Sequence, residues 1–506
     1  MSGRIPRTIR CRSLPVAGPS HKEIAAIAAD VDAAVAPAQT EQPVSLRDWD
    51  LGQGKLQQLV AYGRKVYSLR SALGGVRDGR RQPAAEAPQI AAAIFFTGLL
   101  RIRSLNALEP KLKEKTFLSL VGAGTDGKAL CSADTVSRAL KVMDLDSLRS
   151  LTRHIVAKAE RNKVFREGWH GALRFVAIDG WEPISSFDRH CAGCLTRRVK
   201  VKRDGEDAYV EQYYHRYVVA MLIDKRFDIV LDIEPLLPHD LRPEPTEDKE
   251  HEGELTAAKR LLARVKETFG WLDVVVGDAL YANGPFLTLV ESLKMGAVII
   301  AKKETDEPLK EALNIWGSSP PQEVFEDAET KERIELWDCP DLETLDTYKG
   351  SIRVVRGRVT STEGESESDK KKPNQKTKRS TAGTDEPKKP KKPSTWCMLV
   401  IGQAAKLSSR KVLAVARARW HIENTGFHQW TTRWYFEHVF VHDQHGMQAL
   451  YWLFFAAFNL LTLFLYQQLR SYGRDRGRNV TRTISRLIDE MNDDLARLVH
   501  SPWNTS

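Results

Sequence analysis

Three acidic residues of this chain occupy positions from which they could bind metal ions together. Asp179 ends a short apolar run, Asp278 ends a second one, and Glu423 lies in a long segment with helical periodicity. Acids at strand ends and on a flanking helix can converge at one edge of a sheet, where carboxylate oxygens suit Mg²⁺ or Mn²⁺. Such a site can hold two ions about 4 Å apart, which together cleave a phosphodiester. Because three buried carboxylates without a cation are costly, the pattern predicts that these acids are both metal ligands and catalytic residues.

The segment around Glu423 also offers contacts for DNA. At about 100° per residue, Arg419, Glu423 and Trp430 fall on one stripe of the predicted helix. The Arg419 guanidinium could hold a phosphate beside the metal site, or it could simply form a helix ion pair with Glu423. Three tryptophans of this segment either fill the interface between helix and sheet or stack on an unpaired base: Trp420, Trp430 and Trp434.

Cysteine and histidine residues form two further candidate metal clusters. The first has the spacing of zinc ligands and consists of His190, Cys191 and Cys194, with His215 nearby on a predicted strand. No second ligand pair is apparent beside it, so reduced thiols are the alternative to structural zinc. The second cluster is either a transition-metal site or a polar turn between two helices: His438, His442 and His445.

The first third of the chain is predicted to precede the sheet that carries these residues. Residues 1–45 are rich in Ala, Pro and charge and predict a disordered tail. Residues 46–170 have a helical pattern, in which Ser132 is expected to cap one helix before a second one over 146–161. Such a pair is compatible with a helix-turn-helix or with an ordinary helical pair, so this region is a candidate for binding DNA ends.

From residue 171 the pattern changes to short apolar runs. Residues 171–303 contain strand-type runs at 173–178, 213–223, 227–233, 271–276 and 296–303, with helical periodicity over 254–269. A few early strands followed by strand–helix–strand alternation predict an α/β layer with a mixed sheet.

The remaining chain is predicted to supply an insertion and then helices. Residues 304–401 hold several β-type pieces and a Lys-rich stretch, 360–394, which predicts a disordered loop. Residues 402–470 predict a long helix to about Trp434 and a second one over 445–470, and a C-terminal helix is expected within 471–506.

Charge and apolar content limit the class of protein. Ten basic residues and two acids between Lys370 and Lys392 carry +8 of the formal net charge of +10, so the rest of the chain is nearly balanced. Six cysteines in 506 residues predict a reduced compartment rather than a disulfide scaffold. The apolar stretch Ala449–Tyr466 is 18 residues long. Because a membrane span needs about 20 apolar residues, this stretch is expected to be a buried core helix.

From Phe175 to Tyr466 the sequence resembles the DDE transposases of bacterial insertion sequences. The motifs that carry the resemblance are VAIDGWE with Asp179, VVVGDALYANGPF with Asp278, and ARARWHIENTGFHQWTTRW with Glu423. The third motif of that family reads Tyr, two residues, Arg, three residues, Glu, six residues, Lys. Arg419 and Glu423 fit this motif, whereas Ala416 and Trp430 replace the outer Tyr and Lys, which normally help to hold the DNA end. Arg433, one turn beyond Trp430, could partly replace the missing lysine.

The resemblance implies a ribonuclease-H-like α/β fold: a mixed sheet flanked by helices, an N-terminal all-α region, and a β-rich insertion before the catalytic helix. It implies Mg²⁺ or Mn²⁺ at Asp179, Asp278 and Glu423, and DNA contacts from Arg419, Trp430 and Arg433. The expected partners are double-stranded DNA, namely the terminal inverted repeats of the element and the target, and a second copy of the chain when it is assembled on DNA.

The implied reaction is nicking at the element ends, followed by attack of a 3′-hydroxyl on target DNA. No membrane is expected to take part, and the expected location is the cytoplasm, on the chromosome. Two alternatives are a ribonuclease-H-like DNA nuclease without strand transfer and a non-catalytic DNA-binding protein derived from a transposase.

Overall fold

The computed structural model describes residues 54–124, 128–166, 173–203, 206–224, 226–242, 251–301, 306–328, 330–361, 393–469 and 480–497. The tail expected over 1–45 and nearly all of the Lys-rich loop expected over 360–394 lie outside these residues. All described residues belong to one compact unit, Gln53–Ser506.

Helices fill the described chain before the first strand: α1 Lys55–Tyr67, α2 Leu69–Gly74, α3 Ala87–Leu99, α4 Leu105–Lys111, α5 Lys115–Leu120, α6 Ala133–Leu140 and α7 Leu145–Arg161. The expected cap of α6 is confirmed, because the Ser132 side chain accepts a hydrogen bond from the Thr135 backbone N–H. Asp144 caps α7 in the same way through the N–H groups of Asp146 and Ser147. Each cap satisfies donors that the first helical turn leaves unpaired.

Ten strands form one mixed sheet: β1 Phe175–Ser186, β2 Leu195–Arg203, β3 Glu206–Ile223, β4 Asp228–Pro235, β5 Val274–Gly277, β6 Gly296–Ala301, β7 Glu323–Asp327, β8 Glu332–Leu342, β9 Ile352–Ser361 and β10 Ser394–Ile401. Their order is β2-β3-β1-β5-β6-β10-β9-β8-β7, and β4 also pairs with β3. Within it, β4-β3-β1 is antiparallel and β1-β5-β6 is parallel. This is the ribonuclease-H-like arrangement, so the predicted fold class is confirmed.

The β-rich segment before the Glu423 helix extends the same sheet. Strand β10 pairs antiparallel with β6 and with β9, which joins β7–β9 to the parallel strands. The central strands β5 and β6 are buried along their whole length, which explains why they read as unbroken apolar runs.

Six helices follow the first four strands and a seventh ends the described chain: α8 Glu254–Thr268, α9 Gly284–Ser292, α10 Glu307–Trp316, α11 Ser409–Ala418, α12 His428–Arg433, α13 Gln444–Leu463 and α14 Val480–Ala496. Helix α8 packs against β3 and β4, and α11 packs against β6 and β8–β10. Helix α13 packs against α3 and α7, so these two N-terminal helices share a core with a helix that follows the whole sheet.

One helix in the described ranges is long and apolar enough to cross a membrane by length and composition alone. It spans Gln444–Gln468, and 89% of its most apolar window is buried inside the protein. Its Asn459 is fully buried and pairs with the backbone of Val230 in β4, donating to the carbonyl at 2.8 Å and accepting from the N–H at 2.9 Å. The residues of the predicted core helix are therefore packed inside the fold.

Several elements differ from the sequence-based expectation. The first strand continues to Ser186 instead of ending at Asp179, because its pairing with β3 continues past that residue. Strands β2 and β7 were not predicted, although Asp204–Gly205 between β2 and β3 is a typical hairpin dipeptide. The long helix predicted to reach Trp434 is interrupted at Arg419 and contains a π-helix, Ile422–Phe427.

Candidate active site

The structure brings Asp179 and Asp278 to neighbouring positions on the sheet. Strands β1 and β5 are parallel partners with Ala177 opposite Val276, and each acid lies two residues further along its strand direction. Asp278 follows β5 directly and caps a 3₁₀ turn, where its side chain accepts from the Leu280 N–H at 2.9 Å. Asp179 lies within β1, just beyond the last residue pair with β5, rather than at the end of the strand.

Glu423 reaches the same site from the π-helix. The buried guanidinium of Arg419 donates to Asp179 Oδ2 and to Glu423 Oε1, both at 2.7 Å. One arginine therefore joins the acid on β1 to the acid on the helix. The predicted ion pair between Arg419 and Glu423 is present, and π-turns of this kind are frequent at functional sites.

Burial first, and neighbouring carboxylates to a smaller extent, raise the pKa of Asp179. Burial raises its pKa to about 6, Arg419 opposes that shift, and the nearby carboxylates of Asp278 and Glu254 add to it. The Gly180 N–H donates to Asp179 Oδ1 at 2.9 Å and favours the ionised form.

Glu254 is a fourth acid of this site that the sequence reading missed. Its side chain accepts hydrogen bonds from Arg216 at 2.6 Å and from the buried Tyr281 hydroxyl at 2.8 Å. Gly180 allows the close approach, because a Cβ at that position would overlap Glu254 Oε2. Nothing in the sequence marked it, since an acid at the first position of a helix is common for dipole reasons alone.

The donor set fits a divalent cation. Asp179, Asp278 and Glu423 offer hard carboxylate oxygens, which Mg²⁺ and Mn²⁺ prefer. Four carboxylates including Glu254 share one site with two arginines, Arg419 and Arg216, which leaves an excess of negative charge. Arg419 occupies one oxygen of Asp179 and one of Glu423, so its guanidinium competes with a cation for these two atoms.

The residues predicted to contact DNA have different environments. Trp430 is fully buried, with its ring 5.2 Å from Trp181 and 4.7 Å from Phe455 between centroids. A ring in that position cannot stack on a base, so the DNA contact predicted for Trp430 does not fit the structure, and core packing, the alternative, does. Trp434 is also buried, whereas Trp420 is 43% exposed beside Arg419.

The two arginines that were expected to contact DNA, Arg419 and Arg433, differ in their exposure. Arg419 is only 5% exposed and is held by the two acids, so it has no guanidinium face open to a phosphate in this conformation. Arg433 is partly exposed and lies close enough to Arg101 to lower the pKa of that buried guanidinium, which burial and the Arg433 charge together bring to about 10. Arg101 and Arg433 thus form a basic pair.

The cysteine cluster includes the His215 that the sequence placed nearby, adds His442 and excludes His190. Cys191 and Cys194 meet His215 of β3 and His442 of the α12–α13 connection. His190 is not part of this group, because its ring stacks on Tyr213 with centroids 4.8 Å apart.

The other members of the predicted three-histidine cluster point elsewhere. His438 packs on the Phe440 ring, and His445 pairs with the Met143 carbonyl oxygen at 2.6 Å. Of that cluster only His442 joins a metal-type group, so the three imidazoles do not form a site together.

Comparison with known proteins identifies one family. Residues 210–460 match the family model of the transposase DDE domain. This range contains Asp278 and Glu423 and begins after Asp179. No curated protein matches the chain.

Proposed function

Because the chain belongs to the DDE-type transposases, we propose that it nicks DNA at the ends of a mobile element and joins the freed 3′-hydroxyl to target DNA. DNA is the substrate of this family. The observation that carries the proposal is the convergence of Asp179, Asp278 and Glu423, two across parallel strands and the third through Arg419.

Asp179, Asp278 and Glu423 are the proposed ligands of the divalent cations. Bound there, Mg²⁺ or Mn²⁺ would supply Lewis-acid activation of the attacking oxygen and stabilisation of the leaving oxygen. The chain holds the three carboxylates in position. Glu254, fixed by Arg216 and Tyr281, supports the β1 end of the site.

The proposed DNA contacts come from Trp420 and Arg433. Trp420 offers an exposed ring next to the site, and the partly exposed Arg433 offers positive charge for a phosphate. Arg419 could contact a phosphate only after it releases one of its two carboxylates. A cation that binds this carboxylate would compete with the guanidinium and so favour the release. The proposal also includes two further steps: helices within 46–170 bind the element ends, and the chain dimerises on DNA.

A nuclease without strand transfer is the second candidate. It is favoured by the residues at the outer positions of the third motif, where Ala416 and Trp430 replace Tyr and Lys and are both buried. The family's usual side chains for holding the end are therefore missing. Detection of cut but never joined ends would favour this candidate over the first.

The test uses a plasmid that carries the DNA flanking the gene. We expect Asp179→Asn, Asp278→Asn and Glu423→Gln each to reduce Mn²⁺-dependent nicking below detection, with DNA binding in gel shifts retained. Asp240→Asn, whose side chain is 95% exposed, is the matched control and should nick as the wild type does. Full nicking by any one of the three variants would remove that residue from the site.

A further inference from the structure

Four potential metal ligands from three separate segments converge at the β1–β2 connection. Cys191 Sγ and Cys194 Sγ are 3.8 Å apart. His215 Nε2 lies 3.4 Å from the first sulfur and 3.3 Å from the second, and His442 Nε2 lies 3.6 Å from Cys194 Sγ. All four ligand atoms lie within 4.8 Å of one another.

Four of the six separations among these ligand atoms agree with a tetrahedral zinc site. Zn–S bonds of about 2.3 Å and Zn–N bonds of about 2.0 Å at tetrahedral angles put two sulfurs about 3.8 Å apart and a sulfur and a nitrogen about 3.5 Å apart. The four observed separations match these values to within about 0.3 Å. We propose that Cys191, Cys194, His215 and His442 bind one Zn²⁺.

The backbone around the cysteines has the form expected for such a site. The Cys194 N–H donates to the Cys191 carbonyl at 3.0 Å, which closes a tight turn, and the Cys191 N–H points to Cys194 Sγ at 3.3 Å. An N–H directed at a sulfur stabilises the thiolate that the metal needs. Gly193 is required within this turn, because a Cβ there would overlap the Gln444 side chain at the start of α13.

A disulfide or a pair of plain reduced thiols would account for less of this cluster. A disulfide needs the two sulfurs about 2.05 Å apart, far closer than the 3.8 Å observed. Reduced thiols give no reason for two imidazoles, one of them 2% exposed, to turn their nitrogens toward the same point. Four protein ligands complete the coordination of zinc and leave no open position, so the site is structural rather than catalytic.

The zinc would connect segments that carry the two ends of the proposed active site. Cys191 and Cys194 follow β1, which carries Asp179, and His442 follows the helices that carry Glu423. His215 lies opposite Ile184 of β1 in β3. The metal would therefore fix the end of β1 to the connection between α12 and α13.

Metal content of the purified full-length chain tests the proposal without reference to DNA cleavage. We expect one zinc per chain by plasma mass spectrometry after purification without chelators. Replacement by Co²⁺ should give the visible absorption of tetrahedral cobalt with cysteine ligands. Wild-type protein that holds no zinc, and takes none up when titrated with Zn²⁺ against a chromophoric chelator, would overturn the proposal, as would an intact Cys191–Cys194 disulfide in peptide mapping.

Variants identify the ligands. Cys194→Ser and His442→Ala should lower zinc content at least fivefold, and a chelator should lower the Tm of the wild type but not of these variants. His190→Ala and Cys397→Ser are matched controls that should keep one zinc per chain. If Cys194→Ser does not fold, His442→Ala decides alone, because it removes one ligand from a surface connection. Zinc loss in His190→Ala, or full zinc in His442→Ala, would contradict the assignment.

Discussion

At the scale of single residues, Arg419 is the most informative side chain of the proposed site. It is buried and joins Asp179 to Glu423 through two hydrogen bonds of 2.7 Å. In the absence of a cation this guanidinium is the positive charge that allows the acids to lie together. Loss of one partner from a buried ion pair costs about 3–5 kcal/mol, and partial exposure of Glu423 reduces that figure here.

We expect Arg419→Ala to be less stable than the wild type without divalent metal and to gain more Tm from Mn²⁺. The reason is that both carboxylates lose their counter-charge and become available to the cation, whose binding stabilises the folded state. Thermal unfolding with and without Mn²⁺ measures this. Arg417→Ala is the control, since Arg417 pairs with Glu332 outside the site. Equal Mn²⁺ shifts in both variants would show that Arg419 does not occupy the cation position.

Trp420 and Trp430 should respond in opposite ways to substitution by alanine. Trp420→Ala should weaken binding of single-stranded or unpaired DNA ends, by about 1–3 kcal/mol if one base stacks on the ring, with little change in stability. Trp430→Ala should cost about 3–5 kcal/mol of unfolding free energy, because it empties a packed aromatic core. Fluorescence anisotropy and urea unfolding separate the two effects. Unchanged DNA affinity in Trp420→Ala would remove that ring from the DNA path.

The sequence predicted the meeting of the acids but not all of their surroundings. Asp179 and Asp278 could be placed because each directly follows an apolar run and these two runs form parallel partner strands, although β1 continues past Asp179. Burial of Trp430 could not be read from a helical stripe, since the same stripe fits both a core face and a binding face. His442 could not be joined to Cys194 either, because 248 residues separate them in sequence.

At the scale of elements, the π-helix Ile422–Phe427 sets the direction of Glu423. A π-turn contains one residue more than an α-turn and shifts everything before it relative to everything after it. Helix α12 is anchored by Trp430 in the core, so the turn determines where Glu423 points. A π-turn departs from the 3.6-residue period by which a helix is recognised in a sequence, so this feature could not be predicted.

Deletion of Asn424, an exposed residue of the π-helix, should restore α-helical register and abolish nicking. Removing one residue converts the wide π-turn that contains Glu423 to a regular α-turn, and the carboxylate should then lose its position beside Asp179 and Arg419. Circular dichroism should show a folded protein, and the plasmid assay should show no nicks. Asn424→Ala keeps the length of the turn and should remain active. Wild-type nicking by the deletion variant would mean that the π-turn does not position the acid.

Asp338 of β8 joins two strands to the start of α11. It accepts from Arg353 of β9 at 2.9 Å and from the Ser409 hydroxyl. These partners outweigh the effect of burial and lower the pKa of Asp338 below its usual 3.8. A carboxyl whose pKa is lowered by folding stabilises the protein above its unfolded-state pKa and loses that contribution as the pH falls.

Asp338→Asn should therefore lower the unfolding free energy by about 2 kcal/mol at pH 7, and the difference from the wild type should shrink below about pH 4. Urea unfolding at several pH values measures it. Asp341→Asn, in the same strand and exposed, is the control. A difference that stays constant down to pH 3 would mean that Asp338 acts through packing and not through its charge.

At the scale of the whole molecule, the N-terminal helices and the apolar helix α13 share one core. Gly98 of α3 faces Phe454 of α13, and a Cβ at Gly98 would lie 2.7 Å from the ring. The apolar run that forms α13 could be recognised from sequence as a core helix. The helices that pack on α13 could not be predicted from sequence, because a periodic pattern does not specify which helix each apolar face contacts.

Gly98→Ala should destabilise the protein by about 1–3 kcal/mol through overpacking, although alanine favours a helix over glycine by about 1 kcal/mol. Gly74→Ala is the matched control, because a Cβ there meets nothing within 4 Å, and it should be neutral or slightly stabilising. Denaturant unfolding at equilibrium distinguishes them. A neutral Gly98→Ala would show that α3 and α13 can separate without cost.

Because α3 and α7 pack on α13, the faces that contact α13 have no partner while the chain is still being synthesised. Those helices leave the ribosome long before Gln444–Leu463 is translated. During that interval the nascent chain exposes the surface that α13 later covers, which is the kind of surface that holding chaperones bind. A premature stop codon before residue 444 would therefore yield an aggregating fragment rather than a partly active protein.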